Sequence, residues 1–168
     1  MAAAADRNFI LQQGVELPEG ASCRLVSSAL LFQARVVGPV VLVGTILQSP
    51  VVFGVLAAAL WWSSLLPRWN PFDAAYNRTL GRRPGAPALR PSPTPRRFAQ
   101  GMAATFATGI AASLAAHLSI VAWVLEGFFL VAVAALMFGR LCLGSFVYHL
   151  VSGRAAFAMD TLPWRRGA

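Results

Sequence analysis

The sequence predicts an all-α, polytopic membrane protein with about four transmembrane helices arranged as two hairpins. Three observations carry that expectation. Of 168 residues, 57% are hydrophobic and 12% are charged, against about 45–50% apolar and about 25% charged in a soluble domain. Long uncharged blocks recur, and a bilayer-spanning helix uses about 20 such residues, so the chain has ample length for four. The charge gathers beside those blocks: all 14 basic residues are arginine, six acids oppose them, and the formal net charge is +8. Arginines that flank apolar segments, instead of interleaving with exposed aromatics, point to a membrane and away from nucleic acid. A soluble enzyme and a disordered tail are excluded by the same composition.

Residues 1–30 form an N-terminal segment expected on the cytoplasmic side. It holds Asp6, Glu16 and Glu19 and lacks a basic start followed by an apolar core. It therefore does not read as a cleaved signal peptide, and the first helix is expected to be its own insertion signal. Residues 31–66 form the first transmembrane hairpin. No charge occurs between Arg35 and Arg68, and Gln48, Ser49 and Pro50 mark a turn between helices of about Leu31 to Leu47 and Val51 to Leu66. Both are short for a span, so Leu25 to Leu30 are expected to extend the first.

Residues 67–97 form a basic linker with seven of the eleven prolines, seven arginines and one acid, Asp73. Pro84, Pro87, Pro91, Pro93 and Pro95 disfavour regular helix and favour extended geometry. Short basic loops remain in the cytoplasm, which places the linker and both termini there. Arg78, Arg82, Arg83, Arg90, Arg96 and Arg97 are the candidates for contact with anionic lipid. Trp61, Trp62 and Trp69 mark the headgroup boundary next to it.

Residues 98–151 form the second transmembrane hairpin, with spans of about Phe98 to Leu118 and Ser119 to Gly139, and Leu141 to Val151 as a helical extension or interfacial piece. Residues 152–168 are a cytoplasmic tail. The third span carries a bulky ridge, Phe98, Met102, Phe106, Ile110, Leu114 and Leu118, beside a row of small residues, Gly101, Thr105, Gly109 and Ser113. Such a row lets helix backbones approach closely in lipid, against helices of the same chain or against another subunit. A faint internal echo, Phe32-Gln-Ala against Phe98-Ala-Gln, opens the two hairpins and suggests a pseudo-two-fold bundle.

Glu126 and Arg140 are the intramembrane charges, and ionisable groups at membrane depth are functional candidates. A fourth helix starting at Ser119 puts Glu126 about 10 Å inside it. A start at Gly127, the frame favoured for this residue, leaves Glu126 at the outer interface. Arg140 is expected to snorkel to the cytoplasmic headgroups, or, alone or with Arg35, to hold an anionic lipid or a partner carboxylate. His117 and His149 are weak candidates for single-histidine ligation of a haem or pigment; they fall near opposite surfaces and are not expected to share a site. Cys23 and Cys142 have neither disulfide-framework nor zinc spacing. Paired carboxylates, a Ser-His-Asp set and a phosphate loop are all missing from the sequence, so no cofactor, no metal and no enzymatic activity are expected.

Three motifs carry a resemblance: Asn70-Pro-Phe followed by Tyr76, Pro95-Arg-Arg-Phe-Ala-Gln100, and Cys142-Leu-Gly-Ser-Phe-Val-Tyr148. Together they resemble the bacterial integral-membrane family catalogued as domain of unknown function 4395, in which an arginine-phenylalanine-alanine-glutamine motif opens one span and a Cys-Leu-Gly-Cys motif lies near the end of the last. The likeness runs from about Arg35 to Val151. It implies a small multi-pass protein of the bacterial cytoplasmic (inner) membrane and brings no activity with it. A Cys-x-x-Cys pair would imply thiol redox chemistry; here Cys142 matches and Ser145 takes the second place. The expected role is that of a non-catalytic accessory or scaffold subunit of a larger membrane complex, respiratory or photosynthetic in type. Its expected partners are the lipid bilayer and other transmembrane subunits. The alternative is a membrane thiol-redox partner using Cys142.

Overall fold

The uncharged stretch after Arg35 folds as a helical hairpin around the predicted turn. Gln48 adopts a left-handed conformation (φ 46°, ψ 44°) that ends one helix, Ser49 Oγ accepts from the Val52 amide, and Pro50 occupies the first turn of the next. In a computed structural model that describes residues 2–17, 22–83 and 85–165, the helices are α1 (Ala2–Gln12), α2 (Cys23–Leu30), α3 (Phe32–Leu47), α4 (Pro50–Leu65), α5 (Pro71–Arg78), α6 (Thr94–Ala115), α7 (Ser119–Gly139), α8 (Leu143–Val151) and α9 (Ala155–Asp160). No strand occurs among the described residues. Glu19 and Pro84, both invoked above, lie outside them.

Three helical stretches are long and apolar enough to cross a membrane: Cys23–Leu47, Thr94–Ala115 and Ser119–Gly139. The first combines α2 and α3 through Leu31, whose φ and ψ (−75°, −8°) barely interrupt the helix. This is the extension through Leu25 to Leu30 that the short apolar run required. α4 is apolar but has 16 residues, about 24 Å at 1.5 Å per residue, less than the roughly 30 Å of a hydrocarbon core. Three of the four predicted spans therefore have crossing length, and α4 falls short of it.

α6 is the central helix, packing along α4, α7 and α8, while α7 also packs on α3. Ala104 and Ala107 are fully buried and let α4 lie close along α6; Val41, Phe53, Leu60 and Ile110 fill the space around them. Lipid tails are as apolar as these side chains, so such close packing, more than transfer out of water, holds the helices together. α7 ends where Gly139 gives way to Arg140 in the left-handed region (φ 55°), and the Leu141 amide returns to the Ala135 carbonyl at 3.2 Å. α8 then turns back along the first half of α6.

The linker is more ordered than its prolines suggest. α5 lies within it, followed by a short 3-10 turn at Leu80–Arg82, and Tyr76 is buried with its ring edge-on to Phe32 at 5.6 Å between centroids. The reason is local: Asn70 Oδ1 accepts from the Phe72 and Asp73 amides, and Pro71 stands in the first turn, where its missing amide hydrogen is no loss. Pro95 likewise falls in the first turn of α6, which starts at Thr94, four residues before the predicted Phe98.

Candidate functional site

A polar layer closes one end of the bundle, and it is built from the three motifs singled out above. α5 presents Asp73 and the first turn of α6 presents Arg96. The two meet side by side, Nη2 on Oδ1 at 2.7 Å and Nη1 on Oδ2 at 3.2 Å. Ser92 Oγ donates to the same Oδ2 at 3.2 Å and accepts from Asn70 Nδ2 at 3.4 Å. All four residues are buried. A forked guanidinium–carboxylate pair with its remaining lone pairs occupied is the form in which buried charge is tolerated. Burial pushes the neighbouring Tyr76 phenol above its ordinary value.

One turn further along α6, Gln100 Nε2 donates to Gln33 Oε1 on α3 at 2.8 Å. These are the glutamines of the faint internal echo, second in one copy and third in the other, so they meet without occupying equivalent places. The third motif docks on the same level. A Cβ on Gly144 would stand 2.6 Å from Ala99 Cα, so only glycine lets α8 come this close to α6. Phe98 and Tyr148 stack with centroids 5.6 Å apart, and Ser145 Oγ donates to the Pro95 carbonyl at 3.3 Å.

α1 completes the layer from outside the motifs. Gln12 Oε1 accepts from the Cys142 amide at 2.9 Å. The Gln12 carbonyl accepts from His149 Nε2 at 3.0 Å, which fixes the ring hydrogen on Nε2. His149 is wedged between Tyr148 and Phe157 and its Nδ1 has no partner. Asp6 accepts from Ser27 Oγ at 2.7 Å and pairs with Arg140 Nε at 3.3 Å. Arg140, its side chain 30% exposed, thus finds a carboxylate within its own chain, on α1.

Beside this layer lies a cavity of about 360 Å³ between α3, α6, α7 and α8. α7 and α8 each pack on α6 but touch one another little, which leaves the cleft between them. Its deep walls are apolar, with Phe106, Phe129, Val133 and Leu136, and its polar end is made by Gln13, Gln33, Arg96 and Gln100. Cys142 lines the same end, buried, with Ser145 Oγ 3.4 Å from its Sγ. Cys23, half-buried, packs on the apolar cluster that includes Cys142.

The opposite end holds a second polar group. α7 begins at Ser119 and not at Gly127, so Glu126 lies two turns inside the helix and is buried at the level of the turn between α3 and α4. The helix starts early because the left-handed His117 (φ 58°) and the Leu118 amide, bonded to the Ser113 carbonyl at 2.8 Å, close α6 and launch α7 at once. Both Glu126 oxygens accept from Gln48 Nε2, at 3.0 and 3.2 Å, and Gln48 Oε1 accepts from Trp123 Nε1 at 3.1 Å. The turn that joins α3 to α4 therefore also anchors α7.

Other predicted residues separate. Gly101 faces Ser64 on α4, Gly109 faces Leu125 on α7, Ser113 is buried and Thr105 is exposed. An i, i+4 row rotates about 40° per step at 3.6 residues per turn, so four members sweep about 120° and cannot form one face. Among the linker arginines, Arg78, Arg82, Arg83 and Arg90 are exposed. Arg96 is buried on Asp73, which removes it from any lipid-binding surface, while half-exposed Arg97 donates from Nε to the Ser64 carbonyl at 2.9 Å. Trp62 and Trp69 are exposed, while Trp61 donates to Thr108 Oγ1 on α6 at 3.2 Å. His117 is exposed at the end of α6 remote from His149. Among the described residues no cluster of histidine, cysteine and carboxylate side chains has the grouping of a metal site. Asn70, Gln33 and Gln100 stood in quoted motifs without any sign that they would be buried together, and Gln12 gave no signal, because in sequence it reads as a surface residue.

Helices of membrane-spanning length gathered around α6, capped by a buried polar layer, define an all-helical chain of the membrane-protein type. Residues 27–152, well over half of the chain, match the family described as Domain of unknown function (DUF4395), and the protein belongs to that family. No curated protein and no solved structure matches it.

Proposed function

We propose that the chain is a non-catalytic, four-span protein of the bacterial inner membrane that serves as an accessory or scaffold subunit, with the polar layer and both termini on the cytoplasmic side. α4 completes the fourth crossing by drawing on Leu66 and the following turn, which add to its 16 residues. The observation that carries the reading is α7. It is the most apolar span, yet Ile120, Trp123, Phe128 and Phe138 point outward with 82, 67, 63 and 84% of their surface exposed. That face requires lipid or another transmembrane helix. On α6, by contrast, Gly101 and Gly109 of the small-residue row face α4 and α7 of the same chain and only Thr105 of that row is exposed, so α7 offers the larger apolar surface to a partner.

Exposed Arg78, Arg82, Arg83 and Arg90 support contact with anionic headgroups along the cytoplasmic surface. The thiol-redox alternative has less support, since Cys142 is buried and its motif neighbour is the Ser145 hydroxyl. Extraction in a mild detergent tests the accessory role. Defined transmembrane chains are expected to co-purify and to be lost when Phe128 and Phe138 are replaced by alanine; a chain that emerges alone at every detergent concentration would remove the role.

A further inference from the structure

We propose that the cavity between α6, α7 and α8 is a binding site for a neutral, lipid-dissolved amphiphile whose head group is a hydroxyl. Its volume, about 360 Å³, falls within the range of small-molecule sites. The cavity is polarised along the bilayer normal. Gln33 lies at the start of α3 and Gln100 in the second turn of α6, both at the polar-layer end of the cavity, while Phe106, Phe129 and Val133 carry the apolar walls toward the middle of the bundle. An amphiphile entering through the cleft between α7 and α8 would place its head and its tail in matching surroundings.

The choice of head group follows from hydrogen-bond accounting. Gln100 is 4% exposed, and its Oε1 has no partner among the described residues although its Nε2 is engaged by Gln33. A buried acceptor without a donor costs about 1–3 kcal/mol, so the site is incomplete as it stands. Gln33, with its Oε1 taken, keeps its own amide hydrogens to donate. One free acceptor beside one free donor matches a hydroxyl, which does both. Charge argues against a phosphate: Arg96 lines the polar end, but Asp73 neutralises it through two bonds. A head group that accepts without donating would leave Gln100 Oε1 unsatisfied.

The site rests on the membrane embedding proposed above and not on the accessory role. The test uses the full chain in phosphatidylcholine vesicles, with its orientation verified separately by surface labelling. The probe is a long-chain primary alcohol carrying a diazirine in its tail. Photolabelling is expected on the peptides that hold Phe106 and Phe129, with competition by the unlabelled alcohol about tenfold stronger than by its methyl ether, as one neutral hydrogen bond allows. Gln100→Leu should bring the alcohol down to the level of the ether. Ala132→Trp, which fills the apolar wall and leaves both glutamines in place, should abolish labelling there. Equal competition by alcohol and ether in the wild-type chain would overturn the proposal, as would labelling that persists in Ala132→Trp. Stronger competition by an alkyl phosphate than by the alcohol would overturn the choice of a neutral head group.

Discussion

Asp73→Leu should be among the most damaging single substitutions in the chain. Asp73 and Arg96 are each buried, 6 and 4% exposed, and the guanidinium takes both carboxylate oxygens at 2.7 and 3.2 Å. Removing the carboxylate leaves a cation with no counter-charge beside an apolar cavity, a change that costs about 3–5 kcal/mol in comparable buried pairs. Ser92 loses its acceptor as well, which adds roughly 1 kcal/mol. For a chain of this size each kcal/mol lowers the melting temperature by about 2–4 °C, so a fall of about 8–24 °C is expected. The double variant Asp73→Leu/Arg96→Met removes charge and counter-charge together and should recover most of that loss. Thermal unfolding in mild detergent, followed by tryptophan fluorescence, measures all three proteins. A single variant that melts with the wild type, or a double variant no better than the single, would refute the claim that this pair is a buried, mutually dependent unit.

Further expectations concern the close contacts. Gly144→Val should destabilise by about 1–3 kcal/mol, because a side chain there meets the backbone of Ala99, whereas Gly139→Ala, with open space around it, should melt with the wild type. Gln48→Ala should loosen the far end by about 1–3 kcal/mol, since it removes the donor to buried Glu126; Glu126→Gln, which keeps the size of the side chain and an acceptor oxygen, should be milder. Both effects are read from the same melting curves. In the folded protein a maleimide should modify half-buried Cys23 well before buried Cys142, a difference that peptide mapping resolves and denaturation should erase.

The spans were legible because they depend on composition. Uncharged length located α3, α4 and α7, and the glycine–arginine step at 139–140 ended α7 where the apolar run ended. The turn at Gln48 was legible because Ser49 and Pro50 act locally. The polar layer was not, because its bonds join residues far apart in the chain: Gln12 reaches Cys142 across 130 positions and Gln33 reaches Gln100 across 67. No periodicity encodes such pairs. The motifs at Asn70, Arg96, Gln100 and Ser145 could be quoted from the sequence, yet that they share one layer required the packing of α8 on α6. The expected start of α7 at Gly127 failed for a related reason, since the helix start at Ser119 and the burial of Glu126 are set by packing and by a glutamine 78 positions away.

The central claim is that the helices cross a bilayer with the polar layer on the cytoplasmic face. Single cysteines placed at Arg83 and at Ser119, in a chain whose native Cys23 and Cys142 are replaced by serine and alanine, test it in intact cells with a membrane-impermeant maleimide. Ser119→Cys should label from outside and Arg83→Cys only after the inner membrane is permeabilised. Labelling of Arg83→Cys in intact cells, with Ser119→Cys protected, would contradict the orientation; equal behaviour of both sites would contradict the crossing itself.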